Sequence, residues 1–125
     1  MLITMHDESD LTLSKIHEPG STIESDEGVH AHYSALQMFA ASLSLCTLSV
    51  LAAYAEQLGV TIENLRCRIR WEYEDDPFRV STIDMKIVWP EVPADRIRAV
   101  ERAAGMCTIH NTLHHPPQIS TSVSA

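Results

Sequence analysis

Between Ala35 and Ala55 the chain carries no charged side chain, and from Ala35 to Leu58 it contains neither proline nor glycine. Ala and Leu dominate the run, Ser34 precedes it as an N-cap residue, and Gly59 follows where a left-handed C-terminal cap belongs. These features predict a helix over 34–58. At about 1.5 Å rise per residue it could cross a hydrocarbon core of about 30 Å. However, Gln37, Ser42, Ser44, Thr47 and Ser49 interrupt its surface, and no basic cluster marks a cytoplasmic flank. Apolar on every side, the segment reads as the buried central helix of a small fold rather than as a membrane span.

A central helix of this kind needs apolar surfaces to pack against. Leu11 to Ile16 alternates apolar and polar residues as a strand does, and Glu18-Pro19-Gly20-Ser21 supplies turn chemistry. After the acidic stretch 24–27, Val29 to Tyr33 reads as a second short strand with His30 and His32 on one face. Beyond the helix, Leu65, Cys67, Ile69, Trp71 and Tyr73 alternate with Arg66, Arg68, Arg70 and Glu72. Glu74-Asp75-Asp76-Pro77 then turns the chain, and Ile83, Met85, Ile87 and Trp89 alternate again until Pro90, which predicts an antiparallel hairpin. From Ala94 the period becomes helical, with Ile97, Val100, Ala104 and Cys107 on one face, and His114-His115-Pro116-Pro117 closes that second helix.

The layout is segregated α+β: antiparallel strands packed on a long central helix and a second helix. One domain over 1–125 is expected, with N-terminal strands in 1–33, the central helix in 34–58, the hairpin and second helix in 60–115, and a Ser-rich tail in 116–125. Apolar residues make up 45% of the chain against 21% charged, enough for a compact core. Seventeen acids against nine bases leave a net charge of −8, which repels nucleic acid and anionic lipid, so neither is an expected partner. Three cysteines do not make a disulfide framework, and the first residues lack the basic and apolar regions of a secretory signal. A reduced, cytoplasmic setting is the expectation.

Cys46 lies midway along the apolar helix and Cys107 on the apolar face of the second helix. Two helices packed across a core could bring the pair within the roughly 4.4–6.8 Å Cα separation that a disulfide needs. Such a pair suits peroxide chemistry, in which one thiolate attacks the peroxide, becomes a sulfenic acid, and condenses with the second thiol. Cys67 belongs to the inward face of its strand, where core packing is the plainer reading.

The segment Ser34-Ala35-Leu36-Gln37-Met38-Phe39-Ala40-Ala41-Ser42-Leu43-Ser44-Leu45-Cys46 resembles the helix that carries the peroxidatic cysteine in the OsmC/Ohr family of thiol-dependent peroxidases. The hairpin with Asp75-Asp76-Pro77, the segment Ala103 to Leu113, and the spacing of the two cysteines are similar to later elements of that family. The resemblance covers roughly Tyr33 to Ile119. It implies an intertwined homodimer with active sites at the subunit interface, Cys46 attacking and Cys107 resolving. It also implies organic hydroperoxides or hydrogen peroxide as substrate, of which the apolar surround favours a small hydrophobic one, and a dithiol or lipoylated protein as reductant; no cofactor or metal is expected.

Two departures stand out. The family's peroxidases carry a glutamate where this chain has Leu36, and an arginine in the N-terminal strands, whereas no arginine precedes Arg66 here. The group that activates Cys46 must come from elsewhere, with His30, His32 and Lys15 the substitutes to examine. Two other readings use the same residues. One is a dimer that keeps the scaffold and binds a small hydrophobic ligand without turning it over. The other is a transition-metal site drawn from His30, His32, His110, His114 and His115 with a cysteine.

Overall fold

The computed structural model describes residues 1–16, 24–25 and 33–125. Its strands are β1 (Leu2–Asp7), β2 (Asp10–Ser14), β3 (Glu24–Ser25), β4 (Arg66–Glu74) and β5 (Arg79–Val88). Its helices are α1 (Ala35–Leu58), α2 (Ile97–Ala104, led in by a 3-10 turn at Ala94–Arg96) and α3 (Thr108–His114). The sheet runs β3-β1-β2-β4-β5, antiparallel except where the two residues of β3 lie parallel to β1. β2 pairs with β4, so the N-terminal hairpin and the hairpin after α1 form one sheet, and α1 packs across it. The α+β architecture expected from the sequence is the one observed.

α1 has the expected bounds for physical reasons visible at both ends. The Ser34 hydroxyl accepts from the Gln37 N–H at 3.2 Å while the Gln37 side chain accepts from the Ser34 N–H at 2.8 Å, a reciprocal capping box. At the other end Gly59 adopts φ +67°, and its N–H reaches back to the carbonyls of Ala55 and Glu56. Ala40, Leu43, Leu48, Leu51 and Ala55 face Leu11 and Leu13 of β2 and Cys67, Ile69 and Trp71 of β4 in a single core. The helix is long and apolar enough to cross a membrane, yet here it serves as the core helix of a small domain.

Three differences from the sequence reading matter. β1 was not expected: Ile3 is buried and Met5 packs on the core, but the tight turn at Glu8-Ser9 lacks the Asn-Gly or Asp-Gly signal that marks a hairpin. The second helix is two helices. α2 ends at Ala104 with Gly105 as its cap, a residue that costs helix about 1 kcal/mol relative to Ala, and Met106 and Cys107 separate it from α3. Cys107 is therefore the N-cap of α3, not a residue on a continuous helical face, and Ile97 is half exposed. The strand expected over Val29 to Tyr33, with His30 and His32, lies outside the described residues apart from Tyr33.

The basic residues of β4 sit on the sheet face away from α1. Arg68 grips Asp10 through two bonds, Nε to Oδ1 at 2.9 Å and a terminal nitrogen to Oδ2 at 2.7 Å. Arg70 pairs with Asp84, and Arg79 pairs with Glu74 while donating to the Pro77 carbonyl at the hairpin turn. These guanidinium groups are spent on register and turn geometry.

Candidate functional site

The break between α2 and α3 delivers Cys107 to α1. Cys107 is fully buried, and Cys46 is near enough to act on its titration, so the two cysteines expected to work together are neighbours in the fold. Neither is in a disulfide. Cys46 is half-buried, at the margin of the α1 face that packs on the sheet rather than at its centre. Cys67 is buried on β4 and is not linked to the pair.

Burial, the largest influence, pushes the Cys107 thiol above its ordinary range, because a thiolate there would lose its water. The neighbouring Cys46 adds to the rise, both by favouring the proton on Cys107 and through its negative charge when ionised. The backbone N–H groups of His110, which donates to the Cys107 sulfur at 3.5 Å, and of Ile109 act in the opposite direction. Cys67 is pushed from 9.0 up to about 11 by desolvation, with only the Ser44 hydroxyl working against it. Of the three cysteines, Cys46 alone has exposed surface to meet a soluble reagent.

Close to the pair is a cavity of about 540 Å³ that neither cysteine lines, walled by Thr47 of α1, Met85, Lys86 and Ile87 of β5, Trp89, and Val100, Glu101 and Ala104 of α2, with His110 also in its wall. Thr47 follows Cys46 in the chain, and Gly105 and His110 of the cavity wall bracket Cys107. The Thr47 hydroxyl is buried with no hydrogen-bond partner among the described residues, so the cavity wall holds one buried polar atom unspent. Sequence reading noticed Thr47 only as an interruption of an apolar run. Its adjacency to Cys46 was the one available hint of a place in the cavity wall.

Other candidate residues are placed differently. Leu36 packs on the core from the first turn of α1 and offers no charge to the cysteines. His110 and His114 stack with ring centroids 4.6 Å apart, and His115 follows them at the end of α3. Among the described residues no three His, Cys, Asp or Glu side chains gather in a way that could hold a metal ion, so the histidines of α3 do not assemble the metal site considered above. His30 and His32 lie outside the described residues, and Lys15 is exposed next to β2.

A family model described as OsmC-like protein matches residues 27–122. The chain belongs to this family. Two solved structures share the OsmC-like fold. One is an osmotic stress induced and detoxification response protein from Psychrobacter arcticus 273-4, at 17% identity and TM-score 0.60 over 88% of this chain and 84% of that one. The other is an OsmC-like hydroperoxide resistance protein from Jannaschia sp. CCS1, at 25% identity and TM-score 0.59 over 80% of this chain and 71% of that one. No curated protein matches the chain. The match begins two residues after β3 and takes in both cysteines and the whole cavity wall.

Proposed function

We propose that this OsmC-like chain is a thiol-dependent peroxidase that reduces organic hydroperoxides in the cytoplasm as a homodimer. The observation that carries the reading is the nearness of Cys46 and Cys107, close to a mostly apolar cavity whose wall includes their chain neighbours Thr47 and Gly105. Kinship with a hydroperoxide resistance protein supports it.

The roles follow from access and charge. Cys46, the half-buried thiol and the more accessible of the two, attacks the terminal peroxide oxygen as thiolate; the O–O bond breaks, the alcohol leaves with a proton, and Cys46 becomes a sulfenic acid. Cys107, buried and held as a thiol, is a poor first nucleophile but lies beside the sulfenic sulfur, and its attack there gives the disulfide and water. A dithiol or lipoylated protein returns the pair to two thiols by exchange. Met85, Ile87 and Val100 give the alkyl part of a hydroperoxide an apolar seat.

Counting free thiols after treating reduced protein with cumene hydroperoxide tests the assignment. Wild type is expected to lose two thiols per chain. Cys107→Ser loses one and accumulates sulfenic acid that dimedone traps, and Cys46→Ser loses none. Wild type that keeps all three thiols under excess peroxide ends the peroxidase reading.

A second reading draws on the same cavity: with Leu36 in place of a glutamate and no arginine before Arg66, it would hold a small hydrophobic ligand without reaction. Binding of an unreactive alcohol analogue by protein whose thiols resist peroxide is the result that selects it.

A further inference from the structure

Two helix hydroxyls in this chain spend their proton on the backbone. Ser49 of α1 donates to the Leu45 carbonyl and Thr112 of α3 to the Thr108 carbonyl, each four residues back and each at 2.8 Å. Thr47 lies on the same helix as Ser49 and makes no such bond. The residue is 2% exposed, and its buried hydroxyl has no hydrogen-bond partner among the described residues. A buried hydroxyl left unpaired costs about 1–3 kcal/mol, which a partner brought in from outside the chain would relieve. Ser44, the other buried hydroxyl of α1 in this condition, lies near Cys67 and outside the cavity wall.

Thr47 is what α1 contributes to the cavity, and the apolar side chains Met85, Ile87, Trp89 and Val100 share the wall with it. The Trp89 indole N–H is already spent on the Thr61 carbonyl at 2.8 Å. The charged members of the wall, Lys86 and Glu101, are exposed, and the half-buried His110 stacks its ring on His114. Charge therefore belongs to the solvent side, and the buried part combines apolar surface with one neutral hydroxyl able both to donate and to accept. A volume of about 540 Å³ lies in the range of small-molecule sites.

We propose that the cavity binds a small neutral amphiphile, a single hydroxyl or hydroperoxide group on an aryl or branched-alkyl body, with Thr47 Oγ1 as the hydrogen-bond partner of that group. Met85, Ile87, Trp89 and Val100 surround the body. A carboxylate or phosphate head is disfavoured, because one neutral hydroxyl replaces little of the hydration that a buried charge loses. The polar end of the ligand then lies on the α1 side of the cavity, held by the residue next in the chain to Cys46. Use of this grip in turnover rests on the peroxidase reading and makes Thr47 the residue that orients the hydroperoxide; the binding itself holds with or without reaction.

Trp89 in the wall reports occupancy by its fluorescence, so the full reduced chain can be titrated with cumyl alcohol and with cumene, which has the same body without the hydroxyl. Thr47→Val keeps the shape and removes the hydroxyl. It is expected to weaken binding of the alcohol by about tenfold relative to cumene, while Thr47→Ser keeps the wild-type ratio. Because the hydroxyl is unpaired in the free protein, the urea midpoint of Thr47→Val should equal or exceed that of wild type; if valine does not fold, Thr47→Ala carries the same ratio. Three results overturn the proposal: wild type that binds neither compound, a Val variant with the wild-type ratio, or a Ser variant that loses the ratio as Val does. Thiol counting with cumene hydroperoxide on the same proteins separates the two ideas. Alcohol binding that depends on Thr47 in a protein that keeps its thiols upholds the site and sinks the peroxidase. Loss of two thiols at equal rates in wild type and Thr47→Val, with no Thr47-dependent binding, does the reverse.

Discussion

Cys67 shows how one position inside the fold decides what a thiol can do. It shares its residue type with Cys46, but full burial among β4 and α1 side chains lifts it to about 11 from 9.0. The folded chain therefore keeps a proton that the unfolded chain gives up above about pH 9, so stability falls as pH rises between those values and is unaffected by this group below them. The loss is on the order of 2–3 kcal/mol across the window. Cys67→Ala should flatten the part of the pH profile between 9 and 11 measured by urea unfolding; a variant whose profile parallels wild type there would show that Cys67 is not the titrating group. The inward place of Cys67 was legible from the alternation of β4. The N-cap role of Cys107 was not, because helical spacing continues in register across Gly105 and only the fold reveals the break.

At the scale of elements, α1 was the most legible part of the chain because both caps are written beside it. Gly59 holds φ +67° and a Cβ built there would meet nothing within 4 Å, so a substitution costs only backbone strain. Gly59→Ala should lower stability by about 1–2 kcal/mol without altering the core. Near-wild-type urea midpoints would mean that the helix end relaxes. β1 was illegible for the opposite reason. Its turn uses Glu8-Ser9, residues with no strong turn chemistry, and its register is fixed by the pairing with β2, including the hydrogen bond between the His6 ring and the Thr12 hydroxyl. The cavity was also beyond sequence reading, because it needs α1, β5 and α2 to meet.

For the whole molecule, the join between β2 and β4 is what makes one sheet of two hairpins separated by α1. Asp10 and Arg68 clamp that join, and the Arg68 hydrogen bonds hold the Asp10 carboxyl below the usual carboxylate range, against the effect of burial. The stabilisation from this pair is present at neutral pH and lost as pH falls through the lowered value. Asp10→Asn should speed hydrogen exchange in β1 and β2 more than in α1, and should make the remaining stability less sensitive to acid. Uniform acceleration across the sheet and helix would place the clamp's effect elsewhere.

The order in which these parts leave the ribosome gives the uncharged character of α1 a further meaning. α1 emerges before any residue of β4, β5 or α2 has been made, yet those elements supply much of the surface that covers it. At about 5–20 residues per second, the nascent chain presents a greasy helix to the cell for seconds before its covering arrives. Synthesis thus exposes the protein to membrane-targeting factors and to aggregation during an interval that the finished fold conceals.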